Sequence, residues 1–298
     1  MQAYESNFAK ANGINIHYWR AGRGAPLVLL HGWPEFNRTW RRVMPLLTAQ
    51  FDVIAPDLRG FGDTGKPYPG PSDAMTADVL ADDLAGLLDA LAVDGPVGIV
   101  SHDVGAYLAQ DFARRWPQRA AGLFFFNCPY AGIGKRWGEP GHLKEIWYQS
   151  FHQQPWAAAM VGSSRAACSI YFRHFLTHWS GVKTAFDEDF EIWIDNFMKP
   201  GNLQGGFNWY VSVNRARLAT IAGTAPQPAP IITPTRVLWG GKDPVLKAEW
   251  MDRLPEFFTR LEASVAPDAG HFVQMEQPQL AAQTITDFFA RIGHSASH

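Results

Sequence analysis

The chain predicts an α/β protein: a mostly parallel sheet flanked by helices, with a helical segment inserted before the last strands. Two observations carry this. Short apolar runs alternate with amphipathic stretches over the first half and return near the end, and between them the rhythm breaks. With 298 residues, 47% hydrophobic and 18% charged, the length fits one large domain, or one domain with an insertion.

The strand runs of the first half are Leu27 to Leu30, Phe51 to Ala55, Val97 to Val100 and Leu123 to Phe126. Between the second and third, Leu80, Leu84, Leu87, Leu88 and Leu91 recur at helical spacing, the mark of a helix packed on a sheet. After Pro129, Arg136 to Thr220 is rich in Trp, Phe and Tyr, holds no convincing buried strand, and leads to the Pro-rich stretch Pro226 to Pro234. Strands return at Thr235 to Trp239 and Leu261 to Ala266, and Leu280, Ile285, Phe288, Phe289 and Ile292 mark a closing helix. The expected organisation is a core of residues 1–131 and 227–298, with a helical cap subdomain and linker over 132–226.

Composition excludes several function classes. The formal net charge is -2 and no run of Lys or Arg could track phosphates, so no nucleic-acid partner is expected. Cys128 and Cys168 lack metal-ligand spacing and read as reduced, buried thiols. Met1 to Arg20 alternates polar and apolar residues and lacks the plan of a signal peptide, and no apolar run is long enough to span a membrane. The expectation is a cytoplasmic protein.

The chemistry centres on Val97 to Tyr107, where an apolar strand runs into Ser101-His102-Asp103-Val104-Gly105 and then a helix-forming stretch. Small residues two positions either side of a reactive one are what a sharp strand-to-helix turn requires, because it leaves no room for bulk. Asp103 is then a nucleophile; the competing reading is a plain helix N-cap. Asp243 follows the strand Thr235 to Trp239, and His271 follows Leu261 to Ala266, so acid and histidine each lie past a strand end, where ligand-facing residues of α/β sheets collect. Taken singly, these are a turn Asp before Pro and an ordinary loop His. Three such residues in the order nucleophile, acid, histidine make the coincidence improbable. His31-Gly32-Trp33-Pro34, after the first buried strand, nominates the backbone N–H of Trp33, with that of Val104, as donors to an oxyanion.

Together His31-Gly32-Trp33-Pro34, Asp57-Leu58-Arg59-Gly60-Phe61-Gly62, the Asp103 segment and Gly270-His271 resemble the α/β-hydrolase-fold epoxide hydrolases, with haloalkane and haloacetate dehalogenases as close relatives. The resemblance extends over nearly the whole chain. It implies an eight-stranded sheet and conversion of an epoxide to a vicinal diol through an ester on Asp103, hydrolysed by water that His271 and Asp243 activate. It also implies two cap tyrosines that donate to the epoxide oxygen, which an alkoxide leaving group needs. Tyr148-Gln149-Ser150-Phe151-His152-Gln153-Gln154-Pro155 nominates Tyr148, and Asn208-Trp209-Tyr210 nominates Tyr210; ordinary aromatic packing is the alternative for each.

The substrate pocket is expected to include His31, Pro34, His102, Trp147 and Phe151. His17, His142, His152, His174 and His178 receive no role. The partners expected are a small neutral hydrophobic substrate and water, with no nucleic acid and no membrane; a homodimer is left open, and no cofactor or metal is expected.

Departures from the pattern separate the relatives. Val104 stands where many relatives have a Trp whose indole holds halide. Val104 and Tyr107 stand where haloacetate dehalogenases place carboxylate-clamping arginines. Asn127 occupies a place where some relatives carry the acid, and an amide cannot supply that charge. The alternatives are a dehalogenase using the same Asp103 and a non-catalytic ligand-binding protein of the same fold.

Overall fold

The computed structural model describes residues 4–294, so Met1–Ala3 of the leading stretch lie outside the described residues. Eight strands form one sheet: β1 (Glu5–Ala11), β2 (Ile14–Gly22), β3 (Ala25–Leu30), β4 (Phe51–Pro56), β5 (Val97–His102), β6 (Ala120–Phe126), β7 (Thr235–Gly240) and β8 (Leu261–Ala266). Their order is β1-β2-β4-β3-β5-β6-β7-β8. The pairs β1/β2 and β2/β4 are antiparallel and the remainder parallel.

All six strands expected are present; β1 and β2 were not anticipated as strands. The alternation of the N-terminal stretch is the period-two pattern of a half-buried hairpin, with Ile14, Ile16 and Tyr18 turned inward. Asn12 and Gly13, both at positive φ, make the turn between them. The central strands are apolar without alternation because both faces are covered: Leu27 and Leu29 pack into one core cluster, Val28 and Leu30 into the other.

The helices are α1 (Met44–Leu47), α2 (Ala77–Ala90), α3 (Val104–Arg115), α4 (Trp147–Phe151), α5 (Ala157–Val161), α6 (Arg165–His178), α7 (Phe190–Phe197), α8 (Asn202–Ala222), α9 (Val273–Glu276) and α10 (Pro278–Arg291). The elements between β6 and β7 are all helical. In α2, Leu80, Leu84, Leu87 and Leu88 are buried, whereas Leu91 lies one residue beyond the helix. In α10, Ile285, Phe288 and Phe289 face the sheet; Leu280 is 41% exposed and Ile292 lies past the last turn, so the stripe expected there is narrower.

Chain order places β3 and β5 side by side while their connections depart in opposite directions, β3 toward β4 and β5 toward β6. Such a switch point opens a crevice at the carboxyl ends of the strands. Phe289 secures the opposite face, packed edge-on against Phe51 and Phe288. Phe289→Ala is expected to cost about 3–5 kcal/mol of stability, the usual loss for a fully buried phenylalanine, measured as a lower midpoint in chemical denaturation.

Candidate active site

Asp103 sits between β5 and α3 with φ 48 and ψ −114, a conformation that costs a non-glycine residue about 1–3 kcal/mol. Its side chain makes no cap to α3. Instead Oδ1 accepts the Trp33 N–H at 2.8 Å. The neighbours are small of necessity: a Cβ at Gly32 would lie 2.3 Å from the Asp103 Cβ, and one at Gly105 would lie 2.5 Å from the Leu30 carbonyl oxygen. Val104 opens α3, where the first N–H groups lack intrahelical acceptors.

His271 follows β8 and is fully buried. Its Nδ1–H donates to Asp243 Oδ2 at 2.7 Å, and its Nε2 is buried without a partner. Asp243 is itself held: Oδ1 accepts the N–H groups of Val245 and Leu246 at 2.8 and 3.0 Å, and Oδ2 also accepts from Asn127 Nδ2 at 2.5 Å. Asn127, left without a role by its sequence, sits at φ 44 past β6 and braces the acid, its Oδ1 accepting the Gly240 N–H at 2.9 Å.

Burial pushes the His271 imidazole down, but the charge and hydrogen bond of Asp243 and the charge of Asp103 overcome this and hold it at about 9. Burial and then the charge of Asp103 push the Tyr148 phenol upward, and burial, then Tyr148 and Asp103, push that of Tyr210 upward, so both are kept protonated. The two hydroxyls interact, Tyr210 toward Tyr148, and their rings meet edge to face at 5.4 Å. Tyr148 also stacks on Trp33 at 5.0 Å.

A cavity of about 500 Å³ opens over this group, and Asp103, Tyr148 and Tyr210 line it with Tyr107, Trp137 and Trp209. The five residues expected as pocket walls do not line it. His31 turns inward: its Nδ1–H donates to the Gly32 carbonyl, its Nε2 accepts the Leu58 N–H at 3.0 Å, and it braces the Trp33 loop. Pro34 is buried under α7, its carbonyl accepting the Trp193 indole N–H at 3.0 Å. His102 points below the site and pairs with Glu35 at 2.6 Å. Trp147 is 43% exposed and lies against Phe175 on the outside of the helical segment. Phe151 is half-buried against Trp156 and Tyr171. Adjacent helical residues point about 100° apart, so Tyr148 facing inward sends Trp147 outward.

Two further residues escaped the sequence reading. Glu35 is fully buried beneath the site, where it accepts from Gly32 N–H, Thr39 Oγ1 and Gln274 Nε2. Burial raises its pKa, but His102 and these donors bring it down to about 2, so a fixed negative charge lies under His102, whose ring is 4.6 Å from that of His271. Trp179, after α6, accepts the His271 backbone N–H at 2.8 Å and packs edge-on against its ring at 5.1 Å. Gly-Trp-Pro-Glu gives the first a sequence signal, since an acid beside the Trp33 loop is unusual in so apolar a setting; nothing in the sequence marks the second. Cys128 and Cys168 are both buried and unpaired.

The alpha/beta hydrolase family model matches residues 27–284, and the chain belongs to that family. Within it, the chain is 33% identical to the soluble epoxide hydrolase of Corynebacterium sp. (strain C12), over 95% of this chain and 96% of that one. It is 29% identical to epoxide hydrolase 3 of Mus musculus, covering 91% of this chain and 72% of the relative. The solved structure of the epoxide hydrolase CorEH without ligand superposes with a TM-score of 0.83 at 29% identity, covering 97% of this chain and all of the other.

Because the folded state holds the His271 proton more tightly than a free imidazole does near 6.5, the pair with Asp243 stabilises fully below about pH 6.5 and loses that contribution as pH rises through about 9. The gap in melting temperature between the wild type and Asp243→Asn is expected to be widest near the lower value and to narrow above the upper one, measured by calorimetry across that range.

Proposed function

We propose that this hydrolase opens epoxides to vicinal diols through an ester on Asp103. The observation that carries the reading is one carboxylate at a strained turn facing a cavity whose opposite wall presents two protonated phenols. Asp103, with one oxygen held by the Trp33 N–H, attacks a ring carbon with the other. The carbon–oxygen bond of the ring breaks, and a proton passes to the released oxygen from the Tyr148 and Tyr210 pair.

Ester formation removes the negative charge of Asp103, one of the forces that keep His271 protonated. The imidazolium therefore releases its Nε2 proton to solvent once the intermediate exists, regaining one when hydrolysis restores the Asp103 charge, and in between the neutral ring is a base. Its Nε2 takes a proton from water, which attacks the ester carbonyl, while Asp243 orients Nδ1. The oxyanion meets the N–H groups of Trp33 and Val104, each such donor worth about 3–4 kcal/mol in the transition state. One water proton ends on the diol and the other restores the tyrosine.

In this reading residues 1–131 and 227–298 form the core and 132–226 the cap that carries both tyrosines. Asp103, His271 and Asp243 act as the triad. The buried, unpaired thiols support a cytoplasmic setting.

His271→Gln is expected to form the ester and fail to release it, so mass spectrometry after exposure to styrene oxide should show an adduct on Asp103; an unmodified protein would sink covalent catalysis. Replacing Tyr148 and Tyr210 together with Phe should lower diol formation by at least about a hundredfold, the usual contribution of a general acid. A variant that instead retains halide release from a haloalkane would point to dehalogenation, since halide leaves without an acid.

A further inference from the structure

The cavity above Asp103 contains a cation that no carboxylate answers. Arg217 lines it from α8, seven residues after Tyr210. Two turns separate them, so both side chains leave the same face of the helix, about 10 Å apart along its axis. The hydrogen bond Arg217 makes is from Nη2 to Asn214 Oδ1 at 3.2 Å, and among the described residues no Asp or Glu pairs with it. Most of its five N–H donors are therefore unused. Several partly buried guanidiniums elsewhere meet acids, Arg20 with Asp52, Arg38 with Asp189 and Arg59 with Asp83, whereas Arg114 and Arg236 donate to the Ala229 carbonyl and the Ser264 hydroxyl.

Arg217 shares the cavity wall with Asp103, Tyr107 and Tyr148, and burial pushes its guanidinium down. Asp78 and Asp111 also line the cavity, from α2 and α3; Asp78 is exposed and Asp111 lies 3.5 Å from Arg115. Val213, between Tyr210 and Arg217 on α8, and Val245 also line the cavity and give its wall apolar surface. A partly desolvated cation without a counter-ion is costly, and a ligand carboxylate would offset that cost through the paired N–H groups of the guanidinium.

We propose that the substrate is an epoxide bearing a carboxylate: the ring sits between Asp103 and the two tyrosines, and the acid, a short apolar spacer away, sits on Arg217. The carboxylate takes no part in the bond changes, and the product is a dihydroxy acid. The proposal rests on the epoxide-hydrolase reading and replaces the neutral substrate that composition suggested. The two-turn separation keeps the substrate anion clear of the Asp103 charge while bringing it to the one cation without an acid partner in the cavity wall.

The test compares two terminal epoxides of equal chain length, epoxyhexane and epoxyhexanoate. The wild type is expected to favour the acid in kcat/KM by about tenfold or more, the worth of a charge-assisted hydrogen bond. Arg217→Met should collapse that ratio, chiefly through KM for the acid, and Arg217→Lys should restore part of it. With the wild type alone, hexanoate should inhibit turnover of epoxyhexane more strongly than hexanamide. Equal use of the two epoxides, equal inhibition, or a ratio unchanged in Arg217→Met would overturn the proposal. Should neither epoxide be opened, the epoxide reading itself fails; calorimetric titration with hexanoate then decides the anion site separately, binding lost in Arg217→Met sustaining it and no binding to the wild type removing it.

Discussion

The arrangement depends on a tight wedge where β3, β5 and α3 meet. Asp103 occupies a backbone conformation that a chain adopts only under constraint, and the constraint is visible on both sides. Gly105 lets the start of α3 press on the end of β3, and Gly32 lets the following loop pass against the Asp103 side chain. The Gly105 N–H donates to the His31 carbonyl at 3.0 Å, tying helix to loop. His31, with one nitrogen donating and the other accepting, then fixes the loop from beneath. A turn that is strained in isolation is thus over-determined by its neighbours.

The charge held at that turn organises the rest electrostatically. It raises His271 and both phenols together, so in the resting protein the imidazole and the two hydroxyls all carry protons. Consuming the charge by alkylation would relax all three at once. In the proposed mechanism the phenols would then lose their proton more readily as the ring opens, the imidazole would become available to activate water, and a single group would time two proton transfers of opposite direction. Asn127, Glu35 and Trp179 make this workable by holding Asp243, the floor under His102 and the His271 backbone in place.

Much of this was legible beforehand, for identifiable reasons. Parallel strands buried on both faces read as apolar runs, and β3 to β7 announced themselves so, while the edge strand β8 is mostly exposed; the antiparallel hairpin at the N-terminus is half-exposed and shows only alternation. Asp103, Asp243 and His271 were readable because each follows a strand end, where a sheet of this kind gathers its ligand-facing residues. Pocket walls were not readable. His31, Pro34, His102, Trp147 and Phe151 are close in sequence to site residues, yet one residue along a helix or loop turns a side chain away from the cavity.

Local sequence, then, determined the elements, the sharp turn and the order of the candidate site residues, because strand periodicity and turn sterics act over a few residues. Only the tertiary structure decided which aromatic faces inward, which buried carboxylate meets which histidine, and that Arg217 is left without an acid partner. Those outcomes depend on helices from the inserted segment crossing the ends of strands more than a hundred residues away in the chain, as when Trp193 reaches Pro34 or Tyr210 faces Asp103. No periodicity within either segment encodes such a meeting.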